Sequence, residues 1–167
     1  FSSTSFYGRK GVVVQALSGI DLALWDVAGK ALNQPVWRML GGAAREKTRA
    51  YFTGNNVELG LKLGFSAFKL PVDVSPHEGS EAMQKAAASL VETRRLIGPD
   101  ALLMIDVLCR WNVEYTIEFA RRAEEAKLFF LEEPLLPDDL AGYERLCREV
   151  TSTKIASGEH EFSHYGF

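Results

Sequence analysis

The sequence has few cysteines, no excess of basic residues and no long uninterrupted apolar run. Its 167 residues include two cysteines, Cys109 and Cys147. Two cysteines are too few for the disulfide framework of a small secreted domain, so we expect a reducing, cytoplasmic setting. The net charge is −3 without a basic stripe, which gives no support for nucleic-acid binding. No continuous apolar stretch reaches the roughly 18–20 residues needed to cross a bilayer, so we expect no membrane association.

The chain also has too few residues for a closed eight-stranded α/β barrel. Such barrels typically contain about 250 residues and rarely fewer than about 200, whereas this chain has 167. It starts at Phe1 without an initiator Met or a signal-peptide pattern, and no linker, low-complexity segment or charge block divides it. We therefore expect part of a barrel, from a longer protein.

An alternation of strand and helix patterns is present instead. Apolar residues recur at steps of three or four between residues 12 and 32 and predict a helix there, and a short helical turn follows at 36–40. Beyond it we predict strands at 48–53, 65–70, 102–107, 129–131 and 154–156. We predict the intervening helices at 57–63, 78–97, 113–127 and 138–150. Strands that alternate with helices favour a parallel sheet and an α/β fold.

Three of these predicted strands run into a carboxylate. Asp106, Glu132 and Glu159 follow short apolar runs at the nearly equal spacings of 26 and 27 residues, which fit one strand-plus-helix step each. The carboxyl ends of parallel strands meet where α/β barrels place their chemistry. Converging carboxylates repel one another unless a cation neutralises them, and hard oxygen ligands suit Mg²⁺. The pattern predicts a Mg²⁺ site, although any one of these acids alone is more often a helix N-cap or a salt-bridge partner.

Three further residues lie next to this pattern. Lys69, at the end of the second predicted strand, can neutralise a substrate carboxylate or stabilise an enolate, or can be a surface Lys. His160 follows Glu159 and can contact substrate or transfer a proton, or can be a packing or cap histidine. Glu133 follows Glu132 directly, so we expect its side chain to point to the opposite face, as an acid that either supports the metal ligands or is structural.

Two sets of motifs together resemble the mandelate racemase branch of the enolase superfamily. The segments at residues 16–26 (ALSGIDLALWD), 29–30 and 35–42 look like a hallmark that closes the family's capping-domain helices just before the barrel. Asp106, the run Glu132-Glu133-Pro134, and Gly158-Glu159 resemble the family's three Mg²⁺-ligand strands. The resemblance covers nearly the whole chain.

The resemblance implies a (β/α)-type barrel of the TIM class, cut to about five strands and preceded by the last helices of an α+β capping domain. Residues 1–46 would be the helical end of the capping domain, and residues 47–167 the first five strands of a truncated (β/α)7β barrel. Asp106, Glu132 and Glu159 would bind Mg²⁺ from the third, fourth and fifth strands. Many relatives carry Lys-x-Lys after the second strand, whereas here Pro71 replaces the second Lys.

Other motifs look like the L-rhamnonate dehydratase subgroup, among them Lys69-x-Pro71 and Ser157-Gly158-Glu159-His160. This similarity implies Mg²⁺-dependent dehydration of a sugar acid, an aldonate like L-rhamnonate, to a 2-keto-3-deoxy acid through an enediolate. It also implies a small-molecule sugar-acid substrate and a homo-oligomer. The subgroup takes its His–Asp base from the sixth and seventh strands, so we expect that base outside this chain, with Lys69 and His160 assisting.

Two alternatives stay open. The same scaffold serves racemases and cycloisomerases of the mandelate racemase and muconate cycloisomerase type. Alternatively, the chain is a catalytically inactive fragment that binds metal and pairs with another copy through the open edges of its sheet.

Overall fold

The computed structural model describes residues 6–43 and 45–167. The chain divides into two compact units, one built from the residues up to Arg49 together with His160–Phe167, the other from Ala50–Glu159. The boundary between residues 46 and 47 came from sequence pattern and stays a prediction.

The first unit contains two helices, α1 (Val12–Leu32) and α2 (Val36–Met39). Helix α1 ends at Asn33, whose φ of 49° is the left-handed conformation that commonly ends a helix. Lys30, in the last turn, pairs with Asp26 one turn earlier at 2.6 Å. The predicted helix at 12–32 thus has the predicted bounds.

By length and composition alone, α1 is also long and apolar enough to cross a membrane, with a mean hydropathy of 1.4 over its most apolar window. The sequence does not show this property as an uninterrupted apolar run. Asp21, Asp26 and Lys30 interrupt the run, while the average stays high. One such helix near an N-terminus is weak evidence for a membrane span, because core helices of water-soluble proteins and signal sequences have the same length and composition.

The second unit alternates strands with helices. Its described strands are β1 (Phe52–Thr53), β2 (Ala67–Pro71), β3 (Leu102–Asp106), β4 (Phe130–Glu132) and β5 (Lys154–Ala156). Its helices are α3 (Val57–Lys62), α4 (Gly79–Ile97), α5 (Val113–Arg122) and α6 (Leu140–Glu149). These strands form one parallel sheet in the order β1-β2-β3-β4-β5. The predicted α/β fold with a five-stranded parallel sheet is confirmed.

Most elements differ from the predicted bounds by one or two residues at an end, whereas two are clearly shorter. Strand β1 has two residues because its ladder with β2 joins only Phe52 to Phe68 and Thr53 to Lys69. Helix α5 ends at Arg122 and is followed by a 3₁₀ turn over Glu124–Ala126, which Lys127 closes with a φ of 49°.

Apolar side chains of the sheet pack against α4 and α5 to form the larger core. Phe68, Leu103, Ile105 and Leu131 are completely buried. The runs predicted as strands are apolar on both faces, as expected for parallel strands covered by helices. Burying each such side chain contributes about 1.5–3 kcal/mol, so this core fixes the strands and the positions of their ends.

Strand register places the strand ends side by side. Pro71 pairs with Asp106, Asp106 with Glu132, and Glu132 with Ala156. Lys69 lies two residues before Pro71, so its side chain is on the same face of the sheet as those of Asp106 and Glu132.

Candidate metal centre

The carboxylates of Asp106 and Glu132 flank the ammonium group of Lys69. Lys69 Nζ lies 3.1 Å from Asp106 Oδ2 and 2.6 Å from Glu132 Oε2. All three side chains are largely buried, with exposed fractions of 9%, 14% and 15% respectively. The structure therefore brings together three of the residues that the sequence singled out.

Burial alone lowers the pKa of the Lys69 ammonium, but its ion pairs with Glu132 and Asp106 outweigh this and hold the pKa above its ordinary value. The ring of Tyr51 adds a cation–π contact, with Nζ 5.7 Å from the ring centroid. Lys69 is therefore a charged group within the site, and the surface-Lys alternative does not fit its burial.

Glu132 Oε2 is buried and accepts no well-aligned hydrogen bond from the described residues. It is nevertheless paired with the Lys69 ammonium at 2.6 Å. One ammonium beside two carboxylates leaves a net negative charge and hard oxygen donors, which are the preferred ligands of Mg²⁺. On this ground, the donors present fit the metal that the sequence predicts.

Glu159 lies three residues beyond Ala156, the register partner of Glu132, in the loop that follows β5. Its side chain is exposed. Its charge reaches the neighbouring Cys109 thiol: burial, a hydrogen bond to Glu133, and the charges of Glu133, Glu159 and Asp106 raise the pKa of Cys109 to about 12. Asp106 and Glu159 thus both act electrostatically on the Cys109 thiol, while the role of Glu159 as a ligand stays a prediction.

His160 is exposed and belongs to the first unit. Its assistance in catalysis stays a prediction.

The sequence predicted a supporting or structural role for Glu133, but not its hydrogen-bond partners. Its side chain is buried, with 1% exposed, and its carboxylate accepts hydrogen bonds from the loops after β3 and β5. The adjacent pair Glu132-Glu133 before Pro134 was the available signal, but the pattern could not show which donors Glu133 would meet.

A hydrogen bond and an ion pair connect the loops after β2 and β3 beside the site. Trp111 is buried and its Nε1 donates to Val74 O at 2.6 Å, while Arg110 pairs with Asp73. Leu108 N donates to Asp106 Oδ1 at 3.2 Å. The loop that follows Asp106 thus orients its carboxylate.

Two family models match the chain. Residues 55–167 match the model described as enolase C-terminal domain-like. Residues 4–41 match the N-terminal domain of mandelate racemase / muconate lactonizing enzyme. The first match covers most of the chain and includes Asp106, Glu132 and Glu159.

Two dehydratases and a cycloisomerase are similar to this chain. An L-rhamnonate dehydratase of Saccharopolyspora erythraea is 40% identical over the whole chain, which covers 43% of that relative. The structure of rhamnonate dehydratase from Gibberella zeae complexed with Mg is 37% identical, with a TM-score of 0.91 over 99% of this chain and 41% of its own. A 3,6-anhydro-D-galactonate cycloisomerase of Zobellia galactanivorans is 35% identical, with a TM-score of 0.84 over 99% of this chain and 47% of its own.

This chain therefore spans less than half the length of the relatives that it matches. Over that span, the family models, the sequence identities and the superposed folds agree with the resemblance drawn from the motifs. The chain belongs to the enolase superfamily, in the branch that contains mandelate racemase and muconate lactonizing enzyme.

Proposed function

We propose that this chain supplies the metal-binding half of an enzyme that dehydrates a sugar acid, an aldonate like L-rhamnonate, to a 2-keto-3-deoxy acid with Mg²⁺. The observation that carries the proposal is the convergence of Asp106, Glu132 and Lys69 at the carboxyl edge of the sheet. The names of the similar dehydratases support the substrate class, and the Mg-bound relative supports the metal.

Asp106, Glu132 and Glu159 are the residues that would hold the metal. Mg²⁺ held there would offset the charge of the substrate carboxylate, which would lower the pKa of the α-proton and stabilise the charge that develops on its removal. A base removes the α-proton, and the 3-hydroxyl then leaves with a proton as water. The resulting enol tautomerises to the 2-keto-3-deoxy acid.

The chain's own residues place charge around this reaction. The Lys69 ammonium faces the same point as Asp106 and Glu132 and would offset the negative charge that develops on the substrate. Pro71 occupies the position of the second Lys of the Lys-x-Lys pattern, so it supplies no base from β2. We propose that a His–Asp pair outside these residues removes the α-proton and that His160 assists proton transfer.

We place the enzyme in the cytoplasm, because its two cysteines are too few for the disulfide framework of a small secreted domain. Its partners are the sugar acid and further copies of itself.

The chemical test is an assay for a 2-keto-3-deoxy acid, trapped as its semicarbazone, after incubation with Mg²⁺ and a panel of aldonates. The assay uses the chain alone and the chain joined to the remaining barrel strands of a relative. Product from the joined protein, abolished by Asp106→Asn but not by the surface change Glu81→Gln, would support the proposal. Release of an isomer without loss of water would contradict it.

Isomerisation is the second candidate, because a cycloisomerase is 35% identical to this chain over 99% of the length of this chain. Dehydration adds a carbonyl and removes one water, whereas isomerisation conserves mass. Mass spectrometry of the same reactions separates the two.

A further inference from the structure

Glu133 combines a left-handed backbone conformation with a buried carboxylate side chain, which is a rare combination. Its φ is 49°, in the left-handed region, and its side chain is 1% exposed. Left-handed backbone at a residue other than glycine costs on the order of 1–3 kcal/mol and persists where surrounding contacts impose it, often at functional sites. A buried carboxylate is also costly unless donors satisfy it.

Donors from two loops satisfy the Glu133 carboxylate. Oε1 accepts from Ser157 Oγ at 3.0 Å and from Gly158 N at 2.8 Å, in the loop after β5. Oε2 accepts from Cys109 Sγ at 3.1 Å, in the loop after β3. The Glu133 backbone repeats both connections, because Cys109 N donates to Glu133 O at 2.6 Å and Glu133 N donates to Ala156 O at 2.9 Å.

Each of these loops contains or directly follows one of the proposed ligands. Gly158 directly precedes Glu159, and Cys109 lies three residues after Asp106. Glu132, the third ligand, is the residue before Glu133. The Glu133 carboxylate therefore joins the three segments on which the metal site depends.

We propose that Glu133 is the positioning residue of the metal centre: through Ser157, Gly158 and Cys109 it holds the loops after β3 and β5 so that Asp106 and Glu159 face Glu132. This inference rests on the proposed metal site. It assigns Glu133 no contact with the metal, since its oxygens are engaged by the loop donors.

Mg²⁺ affinity, measured by calorimetry on the chain, tests this role. Glu133→Ala removes every acceptor, and we expect Mg²⁺ to bind about 10–100-fold more weakly, as is typical when a residue that supports metal ligands is lost. Glu133→Gln keeps an acceptor oxygen for Ser157 and Gly158, so we expect an affinity within about threefold of the wild type. Glu132→Gln, which removes a ligand, should lose binding.

A spectroscopic measurement separates positioning from loss of structure. With Mn²⁺ in place of Mg²⁺, the electron paramagnetic resonance spectrum reports the symmetry of the ligands. We expect Glu133→Ala to change that spectrum while circular dichroism shows a folded chain. Ser157→Ala removes a single hydroxyl donor and serves if Glu133→Ala does not fold, with an expected affinity loss of about threefold.

The inference is overturned if folded Glu133→Ala keeps both its Mg²⁺ affinity and its Mn²⁺ spectrum. If Glu133→Ala does not fold, unchanged Mg²⁺ affinity in Ser157→Ala overturns it. Glu133→Gln as damaging as Glu132→Gln would overturn it too, since Glu133 would then be a ligand. Retention of binding by Glu132→Gln would instead refute the proposed metal site itself, which distinguishes the two failures.

Discussion

At the scale of single residues, the site is a balance between converging carboxylates and the cation between them. Lys69 offsets part of the negative charge of Asp106 and Glu132, and 9% of its side chain is exposed. Removing one partner of a buried ion pair leaves an uncompensated charge, which is far more costly than losing an exposed pair.

We therefore expect Lys69→Met to lower the free energy of unfolding by about 2–4 kcal/mol in metal-free buffer. Mg²⁺ should recover much of this loss, because it neutralises the same carboxylates. Thermal unfolding with and without Mg²⁺ measures both effects. Lys85→Met, which breaks the exposed pair with Glu81, is the control and should change stability by less than about 0.5 kcal/mol. Equal effects of the two substitutions would contradict the buried pairing.

The two cysteines give a second prediction at this scale. Burial and the carboxylates around Cys109 raise its pKa to about 12, so little thiolate is present near neutral pH, whereas Cys147 is exposed. Because the thiolate is the reactive form, iodoacetamide at pH 8 should alkylate Cys109 at least ~10-fold more slowly than Cys147. Mass spectrometry of peptides measures both rates, and denaturant should make them similar. Faster labelling of Cys109 in the native chain would contradict the described surroundings of its thiol.

At the scale of elements, a buried guanidinium joins α4 to the end of the next strand–helix unit. Arg94 donates to Gly98 O and Ala101 O near its own helix, and to Ala126 O and Lys127 O in the 3₁₀ turn after α5. The sequence did not predict this 3₁₀ turn, and the turn directs the carbonyl groups of Ala126 and Lys127 toward Arg94. The contact stabilises the α4 and α5 layer that covers β3.

Arg94→Met should therefore lower the free energy of unfolding by about 3 kcal/mol, since buried carbonyls lose charged donors. Its neighbour offers a matched control: Arg95 is exposed and pairs with Glu92, so Arg95→Met should cost less than about 0.5 kcal/mol. Urea unfolding followed by circular dichroism compares them. A loss at Arg95 as large as that at Arg94 would count against this account.

Element types followed from sequence because apolar periodicity and strand-end acids are local signals. The lengths of β1 and α5 did not, since they depend on a ladder with β2 and on carbonyls aimed at Arg94. Among the site residues, the strand-end position of Asp106 and Glu132 was readable from spacing. The burial of Glu133 was not, because it depends on a left-handed backbone and on donors about 24 residues away on either side.

At the scale of the whole molecule, strands β1 and β5 each pair with one neighbour among the described residues. Unpaired strand edges favour association with another chain. We expect sedimentation velocity to show a weight-average mass that rises with concentration. A constant monomer mass up to about 100 μM would contradict the expected self-association.

The central claim, a divalent-metal centre formed by Asp106, Glu132 and Glu159, is tested most directly by titrating Mg²⁺ into the chain in a calorimeter. The account predicts one saturable site in the wild type and in Glu81→Gln, and no saturable binding in Glu132→Gln. Binding that survives Glu132→Gln, or no binding in a wild-type chain shown to be folded, would contradict it.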